Sequence, residues 1–325
     1  MITTMLFALV ILSLLLLLVP RPTLNPRPPA SLVPSELSLT DLKAWLETQE
    51  ALHPHVITGA EARIRFADKE PLQKTSYAIL HIHGFSACRQ ETAPVTDEIA
   101  DNFGCNLVEV RLAGHGLSKN VMKASAEEWL QSVVNGYDIA GQLGHNIIII
   151  GTSTGATLAA WATAMLQKRP DQITALLLMS PNFRVNSRFD FLLTLPAAQI
   201  WIPWILGRER HWQPENELVA KYWSSRYPTQ AVIEMQKVVS WFRKQNLNAY
   251  HTPLALMYMK NDPTIDPVAA VRGFEQWGAV QKQLIPVTVN GEDAEHVFAG
   301  ALSKTDRTAW CVRQFHDFLT QLKAW

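Results

Sequence analysis

The chain has 325 residues, of which 48% are hydrophobic and 18% charged, and it carries 29 basic and 29 acidic side chains. This length and composition are typical of a globular protein, in one large domain or two small ones. Because the chain has no net positive charge, nucleic-acid binding is not expected. Three cysteines, Cys88, Cys105 and Cys311, lack metal-ligand spacing and are odd in number, which favours reduced thiols in a reducing compartment.

Residues 1–19 form an apolar stretch without a charged side chain. As a helix it would reach roughly 27 Å, which is enough for a thin bilayer. A cleaved signal peptide is the alternative, but basic residues before the apolar run and a small-residue cleavage site are both missing. We therefore predict an N-terminal membrane anchor. Arg21 and Arg27 follow it and favour a cytoplasmic location for the rest of the chain, with a periplasmic or secreted location left open.

A proline-rich segment, residues 20–35, follows the apolar stretch and contains six prolines. Such a composition favours extended polyproline conformers, so we predict a semi-rigid linker that holds the folded part off the membrane. The folded domain is predicted over residues 36–325. It begins with a short amphipathic helix at 40–52, for which Thr40 is the predicted N-cap.

From residue 77 onward, short apolar runs alternate with helical patterns, which predicts an α/β fold with a mostly parallel central sheet and helices on both faces. Chemistry in such sheets collects at the carboxyl ends of the strands. One long gap predicts an inserted helical cap at about 182–252. The predicted strands are 77–82, 106–112, 146–150, 173–179, 254–259 and 284–289, and the predicted helices are 95–101, 126–142, 155–167, 267–277 and 306–323.

The pentapeptide GTSTG, residues 151–155, lies between a predicted strand and a predicted helix. The G-x-S-x-G pattern is informative in this context, because a tight strand-to-helix turn exposes the serine above the sheet. The helix dipole would also favour a developing negative charge at Ser153. Ser153 is therefore the predicted nucleophile, and the alternative is a small-residue loop without catalytic function.

A serine nucleophile needs a base, and the base needs an acid that orients it. Both are available after Ser153 in the chain, each on a loop that follows a predicted strand: Asp262 is the preferred acid and His296 the base. Asp266 is the reserve acid. Either aspartate could instead form a turn or cap a helix.

The oxyanion formed by attack on a carbonyl requires backbone N–H donors. We expect one from Thr154, the residue after the nucleophile, and one from Phe85, in the turn that follows an earlier strand. His83 in the same turn is expected to stabilise it, and His81 is expected to be a packed core histidine.

These residues, together with HGFS at 83–86 and RLAGHGLS at 111–118, resemble the α/β-hydrolase superfamily. More narrowly, the chain is similar to the carboxylesterase, monoacylglycerol lipase and lysophospholipase-like group, which includes serine aminopeptidase-type hydrolases. The resemblance covers roughly residues 75–325. It implies an α/β-hydrolase fold and a Ser-His-Asp triad that needs no cofactor and no metal.

The resemblance also bears on three further residues in these motifs, one of which departs from the group. His115 and Ser118 lie in the GHG-x-S loop, which in the group shapes the site entrance, so they are expected to be structural or close to substrate. Thr154 stands where many members carry methionine or glutamine. Only the backbone N–H is needed there, so threonine should leave the oxyanion site intact and change the pocket wall.

The predicted cap is rich in apolar residues, and Asp190 is the only charged residue between Arg188 and Arg208. Ordinary core packing is one interpretation of this stretch. The other is an acyl-binding pocket with a lid that dips into the membrane. Pro196 and Pro203 divide the stretch, which favours a movable cap over a second transmembrane span.

Hydrolysis of a carboxylic ester, in an acylglycerol or lysophospholipid-like substrate, is the first functional hypothesis. An amidase or aminopeptidase is the second, and it requires a cap carboxylate for a free amine, with Glu209, Glu215 and Glu217 as candidates. A catalytically inactive membrane-anchored binding module is the third, although the complete triad argues against it. Acyl transfer to another acceptor would use the same residues.

Overall fold

The fold is built around a central β-sheet, seen here in a computed structural model that describes residue 7 and residues 19–68, 71–168, 172–288 and 294–322. The strands are β1 (Arg63–Arg65), β2 (Thr75–Ile82), β3 (Asn106–Glu109), β4 (Gly144–Thr152), β5 (Ile173–Met179), β6 (Glu209–His211), β7 (Arg226–Pro228), β8 (Leu254–Met259) and β9 (Lys282–Val287). Seven of them form one sheet in the order β1-β3-β2-β4-β5-β8-β9. Only β1 pairs in the antiparallel sense within it.

The predicted mostly parallel sheet is confirmed, and all six predicted strands belong to it. Central strands of such a sheet are buried on both faces, which explains the unbroken apolar run at 147–150 in β4. The sequence missed β1, because three residues are too few to show a period. The strand predicted at 106–112 ends early, at Glu109.

Helices cover both faces of the sheet, as predicted. They are α1 (Leu39–Ala51), α2 (Val95–Phe103), α3 (Ala126–Leu143), α4 (Thr154–Met165), α5 (Ala198–Leu206), α6 (Glu217–Tyr222), α7 (Thr229–Phe242), α8 (Pro267–Gln276) and α9 (Thr308–Gln321). Helices α1, α3, α4 and α7 pack on one face of the sheet, and α2 and α9 pack on the other. The sheet therefore lies between two apolar cores, one on each face.

The N-cap of α1 differs from the one predicted from the sequence. Ser38, not Thr40, is the N-cap, because the Ser38 side chain accepts a hydrogen bond from the Asp41 N–H at 3.1 Å. Ser38 has the extended backbone that a cap requires, whereas Thr40 already lies inside the first helical turn.

The proline-rich segment lies against the domain, so the predicted role as a spacer is wrong. Its carbonyl oxygens accept hydrogen bonds from side chains of α3 and α4, because a polyproline-like backbone leaves its carbonyls without internal partners. The pairs are Pro26 with Trp161 Nε1 (2.9 Å), Ala30 with Gln131 Nε2 (2.9 Å) and Pro34 with Gln142 Nε2 (3.0 Å). Leu24 is buried in the same core as these helices.

The predicted anchor, residues 1–19, falls outside the described residues except for Phe7 and Val19, and it stays a prediction. Within the described ranges, no helix combines the length and the apolar character that crossing a bilayer requires.

The segment between β5 and β8 contains α5, α6, α7 and the antiparallel pair of β6 and β7. Its longest helix, α7, packs against α4 and so contributes to the main core. The short helix α5 follows a 3₁₀ turn at Asp190–Thr194 and packs against α7 through Ile202. This segment covers the carboxyl edge of the sheet on one side of Ser153.

Candidate active site

Ser153 occupies a strained turn between β4 and α4. Its φ of 54° and ψ of −119° lie in a region that residues with side chains rarely adopt. Neighbouring strand ends hold this conformation, because the Ser153 N–H donates to the Met179 carbonyl at 2.9 Å and the Ser153 carbonyl accepts from the Asn182 N–H at 3.0 Å. The turn therefore presents the serine side chain at the carboxyl edge of the sheet.

Gly155 makes this turn possible, because α4 crosses close to the end of β2. A Cβ atom at Gly155 would lie 2.1 Å from the Ile82 carbonyl oxygen and 2.4 Å from the His83 carbonyl oxygen. Both contacts are with backbone, which cannot rotate away. The second glycine of GTSTG is thus required by packing.

The structure brings Ser153, His296 and Asp262 together in one hydrogen-bonded chain. Ser153 Oγ lies 2.8 Å from His296 Nε2, and His296 Nδ1 lies 2.8 Å from Asp262 Oδ2. An ionised carboxylate only accepts hydrogen bonds, so Nδ1 carries the proton and Nε2 is left to accept the serine hydroxyl proton. Ser153 and Asp262 are both buried, at 6% and 2% exposure.

Backbone N–H groups of the following residues fix the orientation of the Asp262 carboxylate. Its Oδ1 accepts the N–H groups of Thr264 at 2.8 Å and Ile265 at 3.0 Å, which directs Oδ2 towards His296. The reserve acid, Asp266, instead caps α8 by accepting from the Val268 and Ala269 N–H groups. Between the two predicted alternatives, the structure places Asp262 against the imidazole and Asp266 at a helix start.

Ser180 holds the loop that carries His296, and the sequence analysis missed it. Its Oγ donates to the His296 carbonyl at 2.7 Å. The residue follows β5 directly, in a positive-φ conformation with φ of 43°. A serine at the carboxyl end of a central strand was the available signal, but its partner lies more than a hundred residues away in the chain.

The two residues predicted to donate to the oxyanion line the same cavity as Ser153. Thr154 is the first residue of α4, so its N–H has no partner within the helix. Phe85 follows the end of β2, and with Thr154 and Ser153 it lines one cavity. Asn182 Nδ2 lies 3.2 Å from Thr154 Oγ1 and holds the threonine side chain in the wall.

His83 stabilises the turn that carries Phe85. Its Nε2 accepts the Leu112 N–H at 3.1 Å, so the proton is on Nδ1, which donates to the Gly84 carbonyl at 2.9 Å. Burial and then the neighbouring His115 lower the pKa of His83 well below its ordinary value. The neutral His83 ring therefore links the turn after β2 to the loop after β3 through two hydrogen bonds.

A buried carboxyl group, Glu91, lies under the same turn and was also missed. Its Oε2 accepts the Gly84 N–H at 2.7 Å, and the residue is 2% exposed. A Cβ at Gly84 would meet Glu91 Oε1 at 2.6 Å and Ser153 Cβ at 3.1 Å, so the glycine separates the carboxyl from the nucleophile. Burial raises the pKa of Glu91 to about 8, because the buried site disfavours the charged form.

A cavity of about 440 Å³ opens beside Ser153 and His296. Much of its wall comes from the segment between β5 and β8, and most of these side chains are apolar or aromatic. They are Val185, Trp212, Val219, Trp223, Tyr227 and Met235. The cavity is large enough for a small organic ligand.

Of the three predicted cap carboxylates, only Glu215 lines this cavity. Lys304 Nζ lies 3.0 Å from Glu215 Oε1, so a basic group already faces this carboxylate. Glu209 pairs with Arg226 across β6 and β7, and Glu217 lies in the first turn of α6.

Three other residues singled out from the sequence, His115, Ser118 and His81, are not among the residues that line this cavity. His115 is fully buried, and its ring lies 5.1 Å from the ring of His83. Ser118 Oγ donates to the His55 carbonyl at 3.2 Å. His81 is a buried core residue whose Nδ1 lies 3.3 Å from a carboxylate oxygen of Glu109.

The chain is similar to known hydrolases in sequence and in fold. A family model described as serine aminopeptidase, S33, matches residues 73–287. No curated protein sequence matches the chain.

Several solved structures share the fold. One is from work on LipS and LipT, two metagenome-derived lipolytic enzymes, with a TM-score of 0.63, 18% identity, and coverage of 82% of this chain and 99% of that chain. Another is the monoacylglycerol lipase of Paleococcus ferrophilus, with a TM-score of 0.57, 15% identity, and coverage of 80% and 98%. A third is a soluble variant of monoglyceride lipase from Saccharomyces cerevisiae, with a TM-score of 0.58, 11% identity, and coverage of 81% and 91%.

Proposed function

Because the chain belongs to the serine aminopeptidase S33 family of the α/β-hydrolase superfamily, we propose that it is a serine hydrolase that cleaves carboxylic esters. The observation that carries the proposal is the hydrogen-bonded chain from Ser153 through His296 to Asp262. Each link has the length of a strong hydrogen bond, and the three groups occur in the order nucleophile, base and orienting acid.

In the proposed reaction, Ser153 Oγ attacks the ester carbonyl while His296 Nε2 takes the hydroxyl proton. Asp262 stabilises the imidazolium that forms, because its carboxylate already accepts the Nδ1 proton. The N–H groups of Phe85 and Thr154 hold the oxyanion. His296 then donates its proton to the leaving alcohol, which leaves an acyl group on Ser153.

Water completes the proposed cycle. His296 Nε2 removes a proton from the water as it attacks the acyl-enzyme, and Ser153 Oγ recovers that proton when the acid leaves. The helix dipole of α4 supports the negative charge that develops beside its N-terminus. An acceptor other than water would give acyl transfer through the same groups.

The cavity wall supports an ester with an apolar acyl chain, of an acylglycerol or lysophospholipid-like kind. The aromatic side chains Trp212, Trp223 and Tyr227 offer apolar surface to such a chain. Peptide hydrolysis is the alternative, and Glu215 in the cavity wall is the observation in its favour. The ion pair with Lys304 weighs against it, because this carboxylate already faces a cation.

Labelling with a fluorophosphonate tests the nucleophile. We expect the wild-type protein to be labelled and Ser153→Ala to be unlabelled, because the probe reacts with an activated serine. Ser303→Ala is the matched control, since Ser303 also lines the cavity and should leave labelling unchanged. Equal labelling of wild type and Ser153→Ala would remove Ser153 from the mechanism.

Two substrate series then separate ester from amide hydrolysis. p-Nitrophenyl esters of increasing chain length should be cleaved with a preference for medium or long acyl chains. Aminoacyl p-nitroanilides should be poor substrates. A preference for acetyl esters would contradict the lipid-like substrate, and faster cleavage of the anilides would favour the aminopeptidase.

For the N-terminus we keep the proposal of a membrane anchor over residues 1–19 with a cytoplasmic catalytic domain. The support is the uncharged apolar sequence and the two arginines that follow it. Reporters that are active on only one side of the membrane, fused to the C-terminus, test this topology.

A further inference from the structure

Six large apolar side chains are exposed at the 3₁₀ turn Asp190–Thr194, with Phe189 at its start, and along helix α5, in the segment between β5 and β8. Their exposed fractions range from 45% to 83%, which is unusual for side chains of this size. We call this surface the cap face, and it consists of Phe189, Phe191, Ile200, Trp204, Ile205 and Leu206. An exposed cluster of this kind marks a surface that binds something apolar.

Helix α5 packs against the domain on one side and is exposed on the other. Ala198 and Ile202 point inward, where Ile202 packs with Ile233 in a small core. Ile200 and Trp204, four residues apart on the opposite side, are 59% and 83% exposed. A helix that is apolar on all sides is normally covered on all sides. Among the described residues, only the inner side of α5 is covered.

The N-terminal part of the chain reaches the domain at this surface. The Ala197 N–H, directly before α5, donates to the Pro20 carbonyl at 3.4 Å. From Pro20 the proline-rich segment runs along the domain, held by its bonds to α3 and α4. The uncharged apolar sequence before Pro20 therefore joins the fold beside the cap face, and no free spacer separates the two.

Charges around the cap face are mainly basic. Arg188, Arg208 and Arg210 are exposed next to it in the chain. The acidic groups nearby are already paired: Glu209 bonds to Arg226, and the buried Asp190 accepts from Arg243 at 3.0 Å. An apolar surface with a basic rim is the pattern of a segment that lies in the interface of an anionic bilayer.

We propose that the cap face is the surface by which this protein lies on a lipid bilayer that contains anionic lipids. Helix α5 lies in the plane of the interface, and Pro20 lies on the same side, beside Ala197. Strand β6 leads from the end of α5 to Trp212 in the cavity wall, so the bound orientation brings the cavity of Ser153 close to the lipid. This docking goes beyond the proposed function and does not depend on it.

Fluorescence quenching in vesicles tests the orientation of the full chain. The variants Trp204→Cys and, as control, Val280→Cys carry an environment-sensitive thiol fluorophore at an exposed position; Val280 is 99% exposed and outside the cap face. The native Cys88, Cys105 and Cys311 are buried, and burial raises the pKa of each thiol to about 12, so they react poorly. The vesicles consist of phosphatidylcholine and phosphatidylglycerol, with and without brominated acyl chains.

We expect a blue shift and strong quenching by brominated lipid for the label at position 204, and neither for the label at position 280. Absence of quenching at position 204 would overturn the proposal. A blue shift at 204 that depends on protein concentration and is not quenched would also overturn it, because a second copy of the chain would then cover the face.

A charge substitution tests the same surface through activity. The double variant Trp204→Glu with Ile205→Glu is compared with Val280→Glu, on a soluble short-chain ester and on an ester lipid held in anionic vesicles. We expect the double variant to retain its rate on the soluble ester and to lose rate severalfold on the vesicles. An unchanged ratio of the two rates would contradict the docking surface, whereas a wild-type protein inactive on both esters would contradict the proposed function and leave the quenching result standing.

Discussion

The turn around Ser153 and the cap face are held in opposite ways. At the turn, backbone hydrogen bonds and close backbone contacts define the position of Ser153. On the cap face, large apolar side chains project from a nine-residue helix that packs on one side. The function of the turn therefore depends on contacts within the protein, whereas the proposed function of the cap face depends on contact with a lipid bilayer. Substitutions should have large effects at the turn and small effects, in solution, on the cap face.

Asp262→Asn should cause the largest change. The Thr264 and Ile265 N–H groups need an acceptor, so the amide oxygen would bond to them and the amide NH₂ would face His296. His296 Nδ1 would then have to accept, and Nε2 would carry the proton and could not take one from Ser153. We expect kcat/KM for a soluble ester to fall by about 1,000- to 10,000-fold.

Asp266→Asn is the matched control, because Asp266 follows in the same loop and caps α8. Asparagine is also a good N-cap, so activity and stability should stay near the wild-type values. A loss of activity in Asp266→Asn comparable with that in Asp262→Asn would refute the assignment of Asp262 as the orienting acid.

Glu91→Gln should change the pH dependence of stability. The pKa of Glu91 is about 8 in the folded protein because of burial, and its ordinary value is 4.5. The folded state thus holds the proton longer than the unfolded state, so this group lowers the free energy of unfolding as the pH rises from about 5 to 8. The loss is on the order of 4 kcal/mol over that range.

Glutamine has no such proton, so the difference in unfolding free energy between wild type and Glu91→Gln should itself change by that amount between pH 5 and 8. Urea unfolding at several pH values measures it. Glu47→Gln is the control, because Glu47 is exposed and forms a surface ion pair with Lys43 one helical turn away. Parallel curves for wild type and Glu91→Gln would mean that the carboxyl is already ionised in the folded protein.

Gly155→Ala should damage the turn through packing alone. The new Cβ would overlap the carbonyl oxygens of Ile82 and His83, so β2 and α4 would have to separate. We expect a loss of about 3 kcal/mol in the free energy of unfolding. Gly141→Ala is the control in α3, where a Cβ meets nothing within 4 Å, and it should stabilise the protein by about 0.5–1 kcal/mol. Equal effects of the two substitutions, measured by urea unfolding, would contradict the close approach at Gly155.

The sequence predicted the sheet and the positions of Ser153, Asp262 and His296 because their signals are local. Each of the three follows an apolar strand, and parallel strands end at one edge of the sheet. Glu91 carries no such signal, and Ser180 follows a strand but has no motif that identifies its partner. Their roles depend on contacts with His296 and Gly84 across the fold, and a single serine or glutamate looks the same in any loop.

The proline-rich segment shows a different limit. Its composition correctly indicates an extended backbone, but composition does not say whether such a backbone meets solvent or protein. The hydrogen bonds from Trp161, Gln131 and Gln142 come from helices more than a hundred residues away in the chain. The cap stretch is similar, because its apolar composition does not say which side chains are buried: Ile202 packs inside, and Trp204 is exposed.

Ile205→Ala should have the smallest effect of these substitutions on the free energy of unfolding. Ile205 is 70% exposed on the cap face, so its truncation leaves no cavity, and the free energy of unfolding in solution should change by less than about 0.5 kcal/mol. Ile202→Ala, one turn earlier in the same helix, removes a side chain that is 2% exposed and should cost about 2–4 kcal/mol. Urea unfolding in the absence of lipid measures both. A cost for Ile205→Ala as large as that for Ile202→Ala would show that the outer side of α5 is packed against protein in solution, and the cap face would then be unavailable to a bilayer.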